Sequence, residues 1–464
     1  MDSIDITEEE SQNQKTLLRK IDLKIVPLVT FLYMLSYLDR ISIGNAKLEH
    51  LESDLGLIEN QYNWVLCIFF FGHILFEVPS NLILYKIKHR LSIWISVIML
   101  ACGIIMILMI FVKNFLTIMI ARFFLGFFEA GLIPGMIYYI TIWYKRSEQN
   151  SRVSAVLSGP TLAGALSGLL SYAIISLLDS KAGLSGWQWI FLVCGVITII
   201  VSIVAYFLIF DSVDNVKWLN NEERKRVYTG IKRDGSQDTK EISKDLVLEC
   251  LKDWKVCVSM FIFCGISVAT YSFSFFIPSI INGFGFNEVL SQLLVVPPFI
   301  LGCISEIGVA FLSDRANLRG PYVILFASIG MIGYAIVGTI QSHAIFKYIG
   351  TWFIAIGAFP CRATSTTWLA NNIPPSLKRN ICISLMVGSG SIGGIIATQI
   401  YRSVDYPNYY LGHLIASICL FLAIFLSIIQ FTILKINNDK MKKQRKKIRR
   451  AVSWNSESEF GHFL

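Results

Sequence analysis

Seven ionisable side chains lie in stretches that are otherwise apolar enough for hydrocarbon: Asp39, Arg40, Glu77, Arg122, Glu129, Glu306 and Arg362. At about 3 kcal/mol per charge on the insertion scale, placing all seven in lipid costs roughly 20 kcal/mol, comparable to the stability of a whole protein. The residue types therefore predict that these groups face one another or a water-filled path. Four acids against three arginines leave one surplus negative charge, so charge balance places a proton on one of the acids. A carboxyl that takes up and releases a proton as its arginine partner moves is what coupling to a proton gradient requires. The competing reading is a salt-bridge network that only holds helices together, and it has most weight for Glu77 and Glu306.

The elements that carry these groups follow from composition. The 464 residues are 54% hydrophobic and only 16% charged, whereas soluble domains are about 25% charged. Disordered, collagenous and secreted disulfide-rich classes are excluded together. Nine of the ten cysteines lie in apolar runs, with Cys250 the exception, and no Cys-x-x-Cys or His/Cys cluster suggests a metal. Apolar runs long enough to cross a bilayer number twelve, at roughly 25–45, 61–84, 91–111, 115–140, 153–178, 187–210, 256–281, 290–312, 321–341, 344–369, 381–401 and 411–434. Numbering the gaps alternately puts 33 of the 41 basic residues in the even gaps and both tails, five in the odd gaps when Lys347, in the first turn of the tenth span, is counted with the gap before it, and three in spans. Such segregation predicts that both termini are cytoplasmic.

The expected fold class is an all-α membrane protein, twelve transmembrane helices in two six-helix bundles. Its parts are a tail at 1–24, a first bundle at 25–210, a cytoplasmic linker at 211–255, a second bundle at 256–434 and a basic tail at 435–464. Within the linker, Lys217 to Arg226 reads as an amphipathic helix on the membrane surface, starting near Asn220 or Asn221. Nine basic residues between Lys435 and Arg450 read first as the stop signal of the last helix and second as a site for anionic lipid.

Depth along the spans brings the charges into register. At 1.5 Å per residue, Asp39 and Arg40 lie about 23 Å above Lys24, and Arg122 lies about 10 Å below Phe115, so the arginines reach similar levels. Glu129 follows Arg122 by seven residues and returns to nearly the same helix face. Glu77 and Glu306 each lie 16 residues into equivalent helices of the two bundles, a placement that suits an inner gate between rocking halves. Arg362, just after Pro360, is either a second anion contact or the partner of Glu306. Small residues from Ser158 to Gly168 and from Gly388 to Gly394 predict close helix packing.

Five segments resemble the major facilitator superfamily and, within it, the fungal allantoate permease family of anion:cation symporters. They are Tyr37 to Leu48, Phe69 to Asn81, Arg122 to Gly135, Leu312 to Gly320 and Trp368 to Asn372. The resemblance implies alternating access and proton-driven uptake of a small organic anion such as a vitamin, a ureido acid or a short peptide. It implies that Arg40 contacts the substrate carboxylate, that Asp39 and Glu129 are proton sites and that Arg122 holds the network together. Arg362 and Asn45 join Arg40 and Arg122 as candidate substrate contacts. Asp314, Arg315 and Arg319 resemble a cytoplasmic gating motif, and with Glu77 and Glu306 they form the candidate gate. Its counterpart at Tyr85 to Arg90 lacks the aspartate.

Three departures bear on specificity: His73 where tyrosine is usual, Cys194 where glutamate is usual, and Ser391 where asparagine is common. The expected partners are a small organic anion, protons and the lipid bilayer, with no nucleic acid, no cofactor and a monomeric state. The plasma membrane is the expected residence, with the vacuolar membrane second. No nucleophile with a base and no His/Asp cluster marks an enzyme. A facilitator of a neutral solute leaves the membrane arginines unexplained, and the short tails count against a non-transporting sensor.

Overall fold

The computed structural model describes residues 2–87, 90–179, 181–216, 218–233, 244–316, 318–340, 343–373 and 377–460. Lys217, Lys88 and His89 lie outside the described residues, as do the tail side chains from 445 onward.

Twelve helices are long and apolar enough to cross a membrane, numbered here as spans 1 to 12. They are Thr16–Leu48, Gln61–Asn81, Leu91–Phe111, Phe115–Trp143, Ser151–Leu178, Gly186–Leu208, Trp254–Asn282, Glu288–Ala316, Gly320–Thr339, Ala344–Asn371, Ile381–Gln399 and Tyr410–Met441. Each overlaps the expected stretch at its place in the order. A helix satisfies its own backbone, which hydrocarbon demands, and every span leaves large apolar side chains exposed on its outer side, among them Phe124, Phe207, Phe261 and Leu414.

Three spans expected as continuous are broken. Span 4 divides into Phe115–Glu129 and Leu132–Trp143, because Pro134 lacks an N–H and its ring clashes with the carbonyl four residues earlier. The break falls directly after Glu129. At the break the Gly131 carbonyl keeps its backbone bond from Gly135 at 3.3 Å and also accepts from Trp94 Nε1 at 3.1 Å. Span 5 breaks at Ser158, before Pro160. Span 8 divides into Glu288–Leu294 and Val296–Ala316 ahead of Pro297 and Pro298, and the Leu294 carbonyl accepts from Tyr348 at 3.0 Å.

Among the first six spans the packed pairs include 3 with 6, 2 with 4, 1 with 5 and 1 with 6; the same pairs recur six spans later as 9 with 12, 8 with 10, 7 with 11 and 7 with 12. The chain thus folds as two six-helix bundles of matching internal order. They meet where span 1 crosses span 7, span 2 crosses span 11 and span 5 crosses span 8. The small-residue stretches serve these seams, with Gly164 against the Phe299 ring and Gly394 against the Phe70 ring.

Within the first bundle, spans 2 and 4 approach until Gly126 lies on the Phe69 carbonyl, where a Cβ has no room. Gly126→Ala is expected to destabilise by about 1–3 kcal/mol, the usual range for overpacking. Thermal unfolding in detergent reads this as a lowered midpoint, and an unchanged midpoint contradicts the contact.

Two linker helices, Asn221–Arg233 and Lys244–Lys252, cover the face that carries both chain ends. The first begins after Asn220, whose N–H donates to Glu223 at 2.8 Å. The two residues just ahead of Asn220 dock on protein rather than lying free on lipid: Leu219 is buried and Trp218 stacks on Trp143 at 6.0 Å, while within the helix Val227 is buried. Lys20 adds an ion pair to Glu223 at 3.0 Å. The second packs Cys250 and Leu246 against Val256 and Ile381 of the other bundle.

Candidate functional site

Four residues along a helix return to the same face, and span 1 uses that spacing to aim Ser36 and Arg40 at one acid. Ser36 Oγ donates at 2.7 Å and Arg40 Nη2 at 2.5 Å to the same oxygen, Glu129 Oε1 on span 4. Both charges are 2% exposed, so the pair is almost fully desolvated. Removing one partner of such a pair is costly because it strands the other. Arg40 is further held against the rings of Phe69 at 4.9 Å, Tyr37 at 5.2 Å and Tyr271 at 5.8 Å. Its second terminal nitrogen donates to the Tyr271 hydroxyl at 3.1 Å, reaching across the seam to span 7.

Arg122 completes the group by donating Nη1 to the Arg40 carbonyl at 3.0 Å. Arg122 Nε and Nη2, Glu129 Oε2 and Asp39 Oδ1 have no protein partner. Buried polar atoms are nearly always paired, and each exception calls for a reason. With Arg40 Nε, five of the twenty such buried atoms among the described residues fall on the four charged side chains Asp39, Arg40, Arg122 and Glu129, where spans 1, 4 and 6 meet.

Asp39 does not join its neighbour's partners. One step along the helix turns it away from the seam, where Thr198 of span 6 donates to Oδ2 at 2.8 Å. Cys194, four residues before Thr198 and on the same face, is buried. Asp39 and Glu129 thus face different helices.

Arg362 makes no ion pair among the described residues. Its guanidinium lies over Tyr271 at 5.1 Å and Phe263 at 5.8 Å and is partly exposed. Glu306 instead accepts from Thr161 of span 5 at 2.7 Å. Glu77 lies against span 11, where a Cβ placed on Gly388 would come 3.4 Å from its Oε1. The two acids therefore border opposite seams in equivalent positions, though Glu306 is buried and Glu77 is partly exposed. Asp314 and Ser313 both accept from Arg319, the latter at 2.9 Å, while Arg315 is exposed.

The face opposite the chain ends is sealed across the seam. Asn63 donates to the carbonyls of Thr398 and Tyr401 at 2.7 and 2.8 Å, and Gln399 returns a bond to the Asn63 carbonyl at 3.2 Å. The Asn45 amide is spent on Ser167, and the Asn45 carbonyl accepts from Gln292 of span 8 at 3.0 Å. Lys47 bonds Ser403 at 3.1 Å and Glu52 at 3.2 Å. Gly44 lets the backbones of spans 1 and 7 touch, since a side chain there meets the Phe275 carbonyl. On the terminal face, Ser154 and Thr367 are joined at 3.1 Å.

Glu49, one residue past span 1, sits inside this seal at 7% exposure. Burial and then the Glu288 carboxylate push its carboxyl from an ordinary 4.5 up to about 7; Asp179 adds to the rise, while Gln292 and His50 oppose it. A raised value means that the sealed form binds this proton more tightly than a form with Glu49 hydrated. The seal is therefore undisturbed below pH 4.5, weakens as pH rises toward about 7 and levels off above that. Corrected for intrinsic rate, hydrogen exchange at the end of span 1 and the start of span 8 is expected to be faster at alkaline than at acid pH. Glu49→Gln should erase that difference, and a persisting difference excludes Glu49 as its source.

Tyr271, Thr198 and Ser36 are site residues that hydropathy did not flag, because a tyrosine or hydroxyl in an apolar span is no anomaly.

Comparison with known proteins agrees with this architecture. The model of the family described as Major Facilitator Superfamily matches residues 29–398. The fungal protein named MFS transporter prlL, from Fungal sp. (strain NRRL 50135), is 34% identical over 422 residues, covering 88% of this chain and 84% of its own. The high-affinity nicotinic acid transporter of Saccharomyces cerevisiae is 30% identical over 430 residues, covering 92% and 79%. Among solved structures, the xylose transporter XylE from E. coli, in a partially occluded inward open conformation, superposes with a TM-score of 0.65 at 16% identity, covering 87% and 96%. A bacterial homologue of the human lysosomal transporter Spinster, inward-facing and occupied, gives 0.63 at 13% identity, covering 88% and 96%.

Proposed function

This chain belongs to the Major Facilitator Superfamily and is a secondary transporter of that kind, and from that premise we propose that it carries a small organic carboxylate together with a proton. The observation that supports this most is the buried Arg40–Glu129 pair, 2.5 Å apart at the meeting of the two bundles, with an uncommitted Arg362 over the ring of Tyr271. A neutral solute gives no reason for three guanidiniums within the membrane-spanning helices. The relative named as a nicotinic acid transporter favours a carboxylate, and the five motifs favour the allantoate permease branch.

On this reading Arg40, Arg122 and Arg362 serve the anion, and Asn45 serves it by closing the site through Gln292. Glu129 carries the transported proton and Asp39, facing span 6, is the second proton site. Glu77, Glu306, Asp314, Arg315 and Arg319 form the gate on the terminal face. With both termini cytoplasmic, in the plasma membrane, the sealed face is the outer one and the described state is closed to the outside. The first bundle occupies 25–210 and the second 256–434, with the linker at 211–255 sliding or bending as they rock. The carrier acts as a monomer, and its basic tail meets anionic lipid.

Proteoliposomes supplied with nicotinate, pantothenate, biotin, allantoate or a dipeptide test the proposal. At least one should accumulate above equilibrium when the outside is acid, and accumulation should stop when the gradient is collapsed. Uptake that is indifferent to the gradient removes the coupling.

A further inference from the structure

Arg40 and Arg122 are 2% and 1% exposed, the first paired with Glu129 and the second bonded through Nη1 alone to the Arg40 carbonyl, whereas Arg362 is partly exposed and its guanidinium makes no hydrogen bond to the described residues. An incoming carboxylate meets Arg362 first. Beneath that guanidinium lies the ring of Tyr271, which is 5% exposed and is braced by Tyr37 at 6.3 Å and Phe70 at 5.2 Å. The hydroxyl of the same tyrosine accepts from Arg40 at 3.1 Å, and Arg40 in turn holds Glu129. Tyr271 is therefore the side chain that touches both the uncommitted guanidinium and the paired one.

We propose that Tyr271 is a positioning residue that couples anion binding at Arg362 to proton binding at Glu129; this rests on the carboxylate and proton reading above. Its hydroxyl accepts from Arg40 and keeps its own proton to donate. A carboxylate seated on Arg362 takes that proton in a hydrogen bond, which polarises the hydroxyl oxygen and makes it a stronger acceptor. Arg40 is drawn toward span 7 and loosens from Glu129, whose uncompensated charge then favours a proton. No covalent bond forms or breaks in the tyrosine, and the proton that binds comes from solvent. Linkage makes the effect reciprocal: protonated Glu129 releases Arg40 toward Tyr271 and tightens the anion.

The test uses the purified full chain and Tyr271→Phe, which keeps the ring under Arg362 and deletes only the hydroxyl. Binding of nicotinate, pantothenate, biotin and allantoate is measured at pH 5 and pH 8, alongside counterflow and uphill uptake in proteoliposomes. Coupling between sites is typically 5- to 150-fold, so the parent should bind its best probe at least about 5-fold more tightly at pH 5. Tyr271→Phe should show less than about a 2-fold difference, unfold at the parent's thermal midpoint, which shows that it folds, and lose uphill accumulation to a greater extent than counterflow. Arg362→Gln should lose binding at both pH values. A Tyr271→Phe carrier with the parent's pH dependence overturns the role of Tyr271 alone. A parent that binds none of the four anions, or binds with no pH dependence, overturns the reading beneath it.

Discussion

Replacing Arg40 with alanine should abolish carboxylate transport, with uptake at least about 100-fold below the parent. The substitution leaves Glu129 at 2% exposure with only Ser36 as a donor. Stranding one member of a buried pair costs about 3–5 kcal/mol, which corresponds to roughly two to three and a half decades in an equilibrium constant. Part of that cost falls on the fold itself, so the midpoint of thermal unfolding should fall as well. Arg40→Lys separates the two effects. A lysine restores a charge for Glu129 but, as a compact point charge, cannot bridge Glu129 and Tyr271 while lying flat on Phe69. Its stability should recover while its transport does not. A full-rate Arg40→Ala carrier removes Arg40 from the site.

Glu129→Gln should split exchange from accumulation. The amide keeps the size of the side chain and an oxygen for Ser36 and Arg40, but it cannot exchange a proton. Counterflow, which needs only anion binding and reorientation, should remain within about 3-fold of the parent, while uphill uptake falls to the equilibrium level, a loss of at least one decade of gradient. Asp39→Asn is the informative comparison, because Asp39 bonds Thr198 rather than either arginine. If Asp39→Asn reproduces the split and Glu129→Gln does not, the transported proton belongs on span 6's side of the bundle.

Apolar length and basic-residue segregation located all twelve spans, because both are one-dimensional quantities that hydrocarbon imposes directly. The meeting of Arg40, Arg122 and Glu129 was visible for a related reason: depth and helix face follow from residue spacing alone. What spacing does not specify is which helix lies opposite. Asp39 turns to Thr198 because span 6 happens to flank that side of span 1, and Tyr271 matters because span 7 crosses span 1 at the level of Arg40. The alternatives for Arg362 stayed open in the sequence for the same reason, since spacing does not say that Thr161 of span 5 lies within hydrogen-bond reach of Glu306. The linker helix is a further case. The Trp218-Leu219 pair just ahead of it fits lipid or protein equally well, and Trp143, presented by the second half of span 4, selects protein. The break that ends the first half of that span was readable from Pro134, but its position against Glu129 gained meaning only with the pair in view.

The most direct measurement is proton movement driven by the substrate alone. Proteoliposomes with equal pH on both sides and a pH indicator in the lumen receive an inward gradient of the best-bound carboxylate, with no imposed proton gradient. The parent should acidify the lumen as the anion enters, at a fixed ratio of protons to anions, and Glu129→Gln should pass the anion with no acidification. Anion entry without acidification in the parent contradicts proton coupling, and undiminished acidification in Glu129→Gln contradicts the assignment of that proton to the Arg40–Glu129 pair.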